Sequence, residues 1–493
     1  MSLFLALDQS TSATKALLFD AEGRALDRES REHQQHYPQP GWVEHDAGEI
    51  WQNTLTVLRA LVARHAARLG DIAGLSITNQ RETIVVFERG SGRPLHPAIV
   101  WQCRRGDTLC ATHVAAGREA LVHRKTGLKI DAYFSASKLQ WLVHHRPELR
   151  AKLADGSALI GTIDAYLIYR LTGGRVFATD TTNASRTLLF DITRLQWDEE
   201  LCGLWEVPLA ALPEVRDCTA AFGETTLEGS LPVPLPIRGV MGDSQASLFA
   251  QRCHTPGSAK VTFGTGSSLM LVIGAQPRFS TQGVLTALAW TLDGVPAYAF
   301  EGIIISSAST LTWLCDQLGL APDVPALEQL AQAVPDNGGV HLVPAFTGLG
   351  LPHWQPAARA AILGLSSHSD RRHIARGAFE SIAFQIRDAL DAMRAEAGVP
   401  LGALQADGGP TASTFLMQLT ADITGVELHV AAMADGSPLG AMRAGQLGLG
   451  LRATRRDLND TRSDGAVFRP AYSRGRTDVL YAGWQAAVRQ VLH

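Results

Sequence analysis

Two aspartates stand where phosphoryl chemistry would want them. Asp8 closes the apolar run 3–7, and Asp243 closes Val240-Met241-Gly242. A carboxylate at a strand end is held rigidly at the mouth of a cleft. Phosphoryl transfer asks two things of carboxylates: an anchor for Mg²⁺ and an acceptor for the proton of the attacking hydroxyl. Asp8 and Asp243 can divide those tasks. Three turns rich in Gly, Ser and Thr accompany them, at 8–15, 264–268 and 407–413. Backbone N–H groups at tight turns and helix starts cradle phosphate oxygens. Gly allows close backbone approach, and Ser and Thr add donors without bulk. A single Gly-Thr-Gly is an ordinary turn. Three such turns, two beside strand-end aspartates, point to a nucleotide. Neither GxxxxGK[ST] nor a GxGxxG after the first strand is present, so the two commonest nucleotide fingerprints are excluded.

A second group consists of Arg81, Glu82, Trp101 and Tyr133, polar or amphipathic residues in apolar surroundings. Arg81 and Glu82 could bracket vicinal hydroxyls, one donating and one accepting. Trp101 could cover a carbon face. The plainer reading of the same residues is a surface ion pair and a core tryptophan.

The elements that must carry these residues alternate between strand and helix. Runs 3–7 and 16–19 read as strands around the polar turn 9–15. Asp46 followed by Glu49 marks a helix start, and Trp51, Leu55, Leu58 and Val62 recur at helical spacing toward Gly70. Strands at 75–78 and 84–87 flank Asn79-Gln80-Arg81-Glu82. The pattern restarts at 240–243, then 261–263, a turn, and 269–273. Residues 404–407 enter the third turn, and Phe415, Leu416, Leu419 and Ile423 continue as a helix that Gly425 can end. The class is α/β. A boundary near 248–257 divides the chain into domains 1–250 and 251–493. The last stretch, 451–493, reads as an appended segment because of its Arg and Asp content.

Composition removes several functions. Of 493 residues, 46% are hydrophobic and the net charge is −4 without a block of like charges. A nucleic-acid or anionic-membrane surface is not expected. No apolar run reaches membrane-spanning length. The first residues lack the basic, apolar pattern of a signal peptide. The six cysteines form neither CxxC pairs nor a dense framework, which fits a reduced, cytoplasmic setting. The histidines show no HExxH and no zinc-ligand spacing, and His144-His145 reads as a solvated helix face.

With these residues in place, the chain resembles the FGGY carbohydrate kinases, most closely those that act on glycerol. The resemblance runs from Ala6 to about Trp484. It is carried by Gly41-Trp42-Val43-Glu44-His45-Asp46, Ile77-Thr78-Asn79-Gln80-Arg81-Glu82-Thr83 and Ala98-Ile99-Val100-Trp101-Gln102-Cys103-Arg104-Arg105. It continues through Thr182-Asn183-Ala184-Ser185-Arg186-Thr187 and Val343-Pro344-Ala345-Phe346-Thr347-Gly348-Leu349-Gly350. The family signature at 133–142 is nearly complete. The second, at 360–380, has Gly377 where Ala or Ser is preferred.

The resemblance implies two actin-like (ribonuclease H-like) ATPase domains flanking a deep cleft. It implies ATP and Mg²⁺ as cofactors and a small polyol as substrate, in a homodimer or homotetramer. It assigns Asp243 as catalytic base and, with Asp8, as a Mg²⁺-site residue. Thr11, Ser12, Ala13, Lys15 and Thr265 would serve the phosphates. Ala308, Thr312, Gly409 and Ser413 would lie by the nucleotide. Arg81, Glu82, Trp101, Tyr133, Asp243, Ser244 and Ser268 would surround the polyol.

Several positions depart from the family pattern. Ser244 replaces a glutamine and Ser268 an aromatic that packs glycerol's carbons. Ala308 and Thr312 replace a glycine and a glutamine, and Lys15 an arginine. Segment 228–232 lacks the Gly- and Arg-containing loop tied to sugar-bisphosphate inhibition. The two serines should enlarge and wet the pocket. A longer polyol or ketose (erythritol, threitol, xylitol, xylulose) is therefore an alternative to glycerol. An actin- or chaperone-like nucleotide switch is a further alternative. It would use the phosphate turns and have no need of Arg81, Glu82, Trp101 and Tyr133 together.

Overall fold

Residues 2–433, 436–458 and 465–492 are described in this computed structural model. The fold is mixed α/β and is organised around two sheets of similar plan. In the first, Leu3–Gln9 lies in the middle. It pairs antiparallel with Ala13–Phe19, which pairs in turn with Ala25–Glu32. On its other side it runs parallel to Ile72–Asn79, which is parallel to Leu235–Gly242. In the second sheet, Ala259–Phe263 takes the middle place. On one side it pairs antiparallel with Ser267–Gly274, which pairs antiparallel in turn with Val295–Ile304, and on the other it runs parallel to Leu404–Asp407, which is parallel to Leu428–Val430.

Burial explains this plan. All seven residues of Leu3–Gln9 are buried, as expected of a strand covered on both faces. Helix Ala47–Arg64 lays Ile50, Trp51, Leu55, Leu58, Leu61 and Val62 against that sheet. Its start is fixed by Asp46, whose carboxylate accepts from Gly48 N and Glu49 N. It ends at Arg64, and a short 3₁₀ segment, Ala66–Asp71, follows before Gly70 could close it. In the second half, the long helix Arg371–Ala397 buries Phe379, Ile382, Ile386, Leu390 and Met393. A five-stranded sheet that includes Ile84–Glu88, Ala98–Ile99 and Ala158–Thr162 adds a layer to the first half.

Both polar turns are shorter than their sequence suggested. Strand pairing continues through Asp8↔Lys15 and Gln9↔Thr14, so Ala13, Thr14 and Lys15 belong to the returning strand. Ser267 and Ser268 likewise belong to a strand, paired with Phe263 and Thr262. The tail is not an appended segment. Val467–Phe468 extends the second sheet. Helix Arg474–Leu492 stacks Trp484 on Phe384 at 5.5 Å and donates Trp484 Nε1 to Asp388 at 2.7 Å. All six cysteines are buried and unbridged. His144 and His145 are exposed, and no helix among the described residues is long and apolar enough to cross a membrane.

The two halves meet where helix Gly436–Gly448 crosses helix Asp243–Ala250 and reaches the first sheet. The approach is backbone to backbone. A Cβ at Gly440 would stand 1.8 Å from the carbonyl oxygen of Ala246. Gly440→Ala should therefore lower stability by at least the roughly 1–3 kcal/mol typical of overpacking, read as a fall in the urea midpoint.

Candidate active site

Several candidate side chains sit at the carboxyl ends of parallel strands, where open α/β sheets bind ligands. Ile72–Asn79 delivers Gln80, Arg81 and Glu82, and Leu235–Gly242 delivers Asp243. The short helix Thr181–Ala184 ties these two ends together. Asp180 caps it, accepting from Thr182 N at 2.8 Å and Asn183 N at 3.0 Å. Thr182 Oγ1 then accepts from Gly242 N at 2.8 Å, and the Asn183 amide exchanges two hydrogen bonds with Asn79. Asp164 lies behind, fully buried, and burial together with the neighbouring Asp180 pushes its carboxyl up to about 7.

Asp243 opens its helix with its side chain 40% exposed. Oδ1 receives Ser244 N at 2.6 Å and faces Arg81 Nε at 3.1 Å. Among the described residues, Oδ2 has no hydrogen-bond partner. One oxygen is thus anchored and the other is not.

Arg81 is buried to 4% exposure among three carboxylates, with Glu301 at 2.9 Å, Asp243 at 3.1 Å and Glu82 at 4.0 Å. It also donates to Gln245 Oε1 at 3.2 Å. Burial works against its charge, but Glu301, Glu82 and Asp243 outweigh it and hold its pKa well above the ordinary value. Glu82 has φ +63°, a left-handed conformation rare for a residue with a side chain. Ser135 Oγ holds its carbonyl at 2.9 Å. Its carboxylate accepts from Arg186 Nε at 2.6 Å, and burial pushes its pKa up against the pull of both arginines.

Trp101 and Tyr133 form an edge-on pair 5.3 Å apart. Burial pushes the Tyr133 phenol far above its usual range, so it stays a neutral donor. Lys138 fixes this loop from beneath. Its fully buried Nζ donates to the carbonyls of Ala132, Tyr133 and Phe134, and burial lowers its pKa to about 8.

The first polar turn touches this group directly. Trp101 Nε1 donates to Thr11 Oγ1 at 3.0 Å. His33 Nε2 donates to Thr11 O at 2.9 Å, and Gln80 Nε2 to Ser10 O at 3.3 Å. Ser12 is exposed at the tip. Ala13 is buried within the strand, where its carbonyl accepts from Ser10, so its side chain is not part of the turn's surface. Lys15 Nζ lies 3.8 Å from Asp8 Oδ2.

The second turn opens onto a separate cleft of about 590 Å³. Thr265, Ala308, Thr312 and Gly409 line it together with Trp313 and Asp316. Gly408, at φ +99°, turns the chain here, and a Cβ would stand 1.9 Å from Phe263 O. Ser413 is not part of this lining. It caps helix Thr414–Thr424, accepting from Leu416 N at 3.0 Å. Ser244 follows Asp243 at the helix start and is half-buried. Ser268 is on the second sheet, facing Thr262 and Ile303 across its strand, and its Oγ is buried without a hydrogen-bond partner.

Residues 3–250 match the N-terminal domain of the FGGY family of carbohydrate kinases, and residues 259–448 match its C-terminal domain. The chain belongs to this family. Among the FGGY kinase's relatives, a glycerol kinase of Desulfitobacterium hafniense is 44% identical over 488 residues, covering 99% of each chain. One of Thermus brockianus is 45% identical over 490 residues, covering 99% of this chain and 98% of its own. A solved glycerol kinase of Plasmodium falciparum with ADP superposes with TM-score 0.94 at 34% identity, over 100% of this chain and 99% of its own. A xylulose kinase of Lactobacillus acidophilus shares the fold, with TM-score 0.90 at 21% identity, over 100% and 98%. The two-domain actin-like architecture is thus established, as is a phosphotransferase with an alcohol acceptor.

Sequence reasoning missed Arg186, Gln245 and Glu301 in this FGGY kinase, as well as Trp313 and Asp316. The last two were findable, because 308, 309, 312, 313 and 316 share one helical face.

Proposed function

We propose that this kinase transfers the terminal phosphoryl group of ATP to a primary hydroxyl of glycerol. The observation that carries the reading is the 3.0 Å bond from Trp101 to Thr11, which joins the candidate polyol group to the first phosphate turn. The full-length likeness to glycerol kinases supports it.

Asp243 Oδ1 is fixed by Arg81 and Ser244 N, so Oδ2 is placed to accept the proton of the attacking hydroxyl. The glycerol oxygen forms a bond to the γ-phosphorus as the bond to the bridging oxygen of ADP breaks. The turn amides at Thr11 and Thr265 would meet the phosphate charge, those of Ser10 and Gly264 closing the turns by donating to Ala13 O and Gly266 O. Arg81, Glu82 and Tyr133 orient the polyol, and Trp101 covers its carbons. Closure of the halves would exclude water and suppress hydrolysis of ATP.

Among the described residues, no cluster of three or more acidic, His or Cys ligands could form an all-protein metal site. That fits Mg²⁺, which binds through one or two carboxylates together with phosphates and waters. Asp8, next to last in strand Leu3–Gln9, and Asp243, just past strand Leu235–Gly242, would hold it, and it would neutralise charge on the phosphates.

Ser268 favours a second reading, a polyol longer than glycerol. A buried hydroxyl without a partner is costly and would be satisfied by an additional substrate hydroxyl. Release of ADP should be measured with glycerol, erythritol, threitol, xylitol, dihydroxyacetone and xylulose. The highest kcat/KM is expected for glycerol, which would dismiss the longer polyol. A preference for erythritol or xylitol would establish the second reading. ADP release independent of every polyol would overturn both.

A further inference from the structure

The candidate polyol residues come from the first half, apart from Ser268. The buried charges around them are nevertheless completed from the second half by one carboxylate. Glu301, fully buried on strand Val295–Ile304, lies 2.9 Å from Arg81 Nη2 and accepts from Arg186 Nη1. Arg186, also fully buried, donates its Nε to Glu82. Glu301 therefore holds one polyol-site charge directly and the other through Arg186. Burial raises its proton affinity, but Arg186 and Arg81 outweigh that and keep it ionised, with Lys260 of its own sheet contributing.

The same strand runs into the nucleotide side. It is locked in register with the strand leaving the second phosphate turn, Met270 opposite Glu301 and Ser267 opposite Ile304. Just past its end the chain wraps that turn. Ser307 N and Ser309 N donate to Thr265 O at 2.8 and 3.2 Å, and Ala308 N to Gly264 O at 3.1 Å. A shift of the turn on nucleotide binding thus has a stiff, hydrogen-bonded path to the Glu301 backbone, whose carboxylate is ion-paired with Arg81.

We infer that Glu301 is a positioning residue that couples nucleotide binding in the second half to polyol binding in the first, by setting Arg81 and Arg186 in place. The inference rests on the polyol-kinase reading above. Coupling of this kind is a free energy shared between two sites and must be reciprocal.

The test is to titrate glycerol with and without ADP, in the wild type and in Glu301→Gln, which keeps the shape and removes the charge. ADP should tighten glycerol binding in the wild type by at least about fivefold, the lower end of typical couplings. In Glu301→Gln the ratio should fall close to one, with ADP binding alone unchanged. A residue that served only stability would lower the unfolding midpoint and leave the ratio intact. Glu301→Asp, one methylene short, provides the same reading should the Gln variant not fold, and its ratio should be intermediate. A wild-type ratio of one, or a ratio preserved in the variants while glycerol still binds, would overturn the inference alone. Absence of glycerol binding to the wild type under all conditions would overturn the functional reading and the inference with it.

Discussion

Asp243→Asn should lower kcat for glycerol by about 10²–10⁴-fold, the usual worth of a positioned general base. The substitution isolates the chemistry well. Asn Oδ1 can still accept from Ser244 N and from Arg81 Nε, the two contacts that orient the native side chain. Only the oxygen available to the hydroxyl is exchanged, for an amide that cannot take its proton. Nucleotide binding should stay near the wild-type value, because the cleft lined by Thr265, Ala308, Thr312 and Gly409 is untouched. Steady-state kinetics beside an ADP titration separates the two effects. A variant that kept more than about a tenth of the native kcat would remove Asp243 from the base role.

The second large effect is expected at Arg186. Its guanidinium lies between Glu82 and Glu301 with no exposed surface. Arg186→Met would leave two buried carboxylates without this cation. Breaking a buried pair in this way costs about 3–5 kcal/mol. The loss should appear as a lower urea midpoint, and glycerol binding should weaken because Glu82 is no longer held. Arg186→Lys should be intermediate, since an ammonium keeps the charge but cannot span both carboxylates as a planar fork does. A wild-type midpoint in Arg186→Met would show that the two carboxylates find other compensation.

The fold was largely legible because apolar runs ending in Asp or Gly mark strand ends wherever they occur. Turn lengths were not legible. Strand pairing uses backbone groups, so Thr14, Lys15, Ser267 and Ser268 can sit in strands despite their polar side chains. The tail was misread for a similar reason. Its Arg and Asp content describes its outer face, while Trp484, Ala487 and Val488 form a buried stripe at helical spacing.

In the candidate site, Asp243 is singled out in the sequence by closing an apolar run, and Arg81, Glu82, Trp101 and Tyr133 by being polar or amphipathic in apolar surroundings. Arg186 and Glu301 are not, because each finds its partners more than a hundred residues away in sequence. A local sign did exist. Glu301 is a lone charge inside the apolar run Ala299-Phe300-Glu301-Gly302-Ile303-Ile304, and Lys260 stands similarly in Ala259-Lys260-Val261. A charge in the middle of a buried strand must be paired, so its presence predicts a distant partner without naming it.

The central claim is that the two halves bring a nucleotide's terminal phosphate to a polyol hydroxyl readied by Asp243. The most direct measurement is a crystal structure with glycerol and a non-hydrolysable ATP analogue bound together. The account predicts Asp243 Oδ2 within hydrogen-bond reach of a primary glycerol hydroxyl, about 2.6–3.2 Å, with that oxygen facing the γ-phosphate. Glycerol bound elsewhere, or its hydroxyl facing the γ-phosphate with the Asp243 carboxylate turned away, would contradict it.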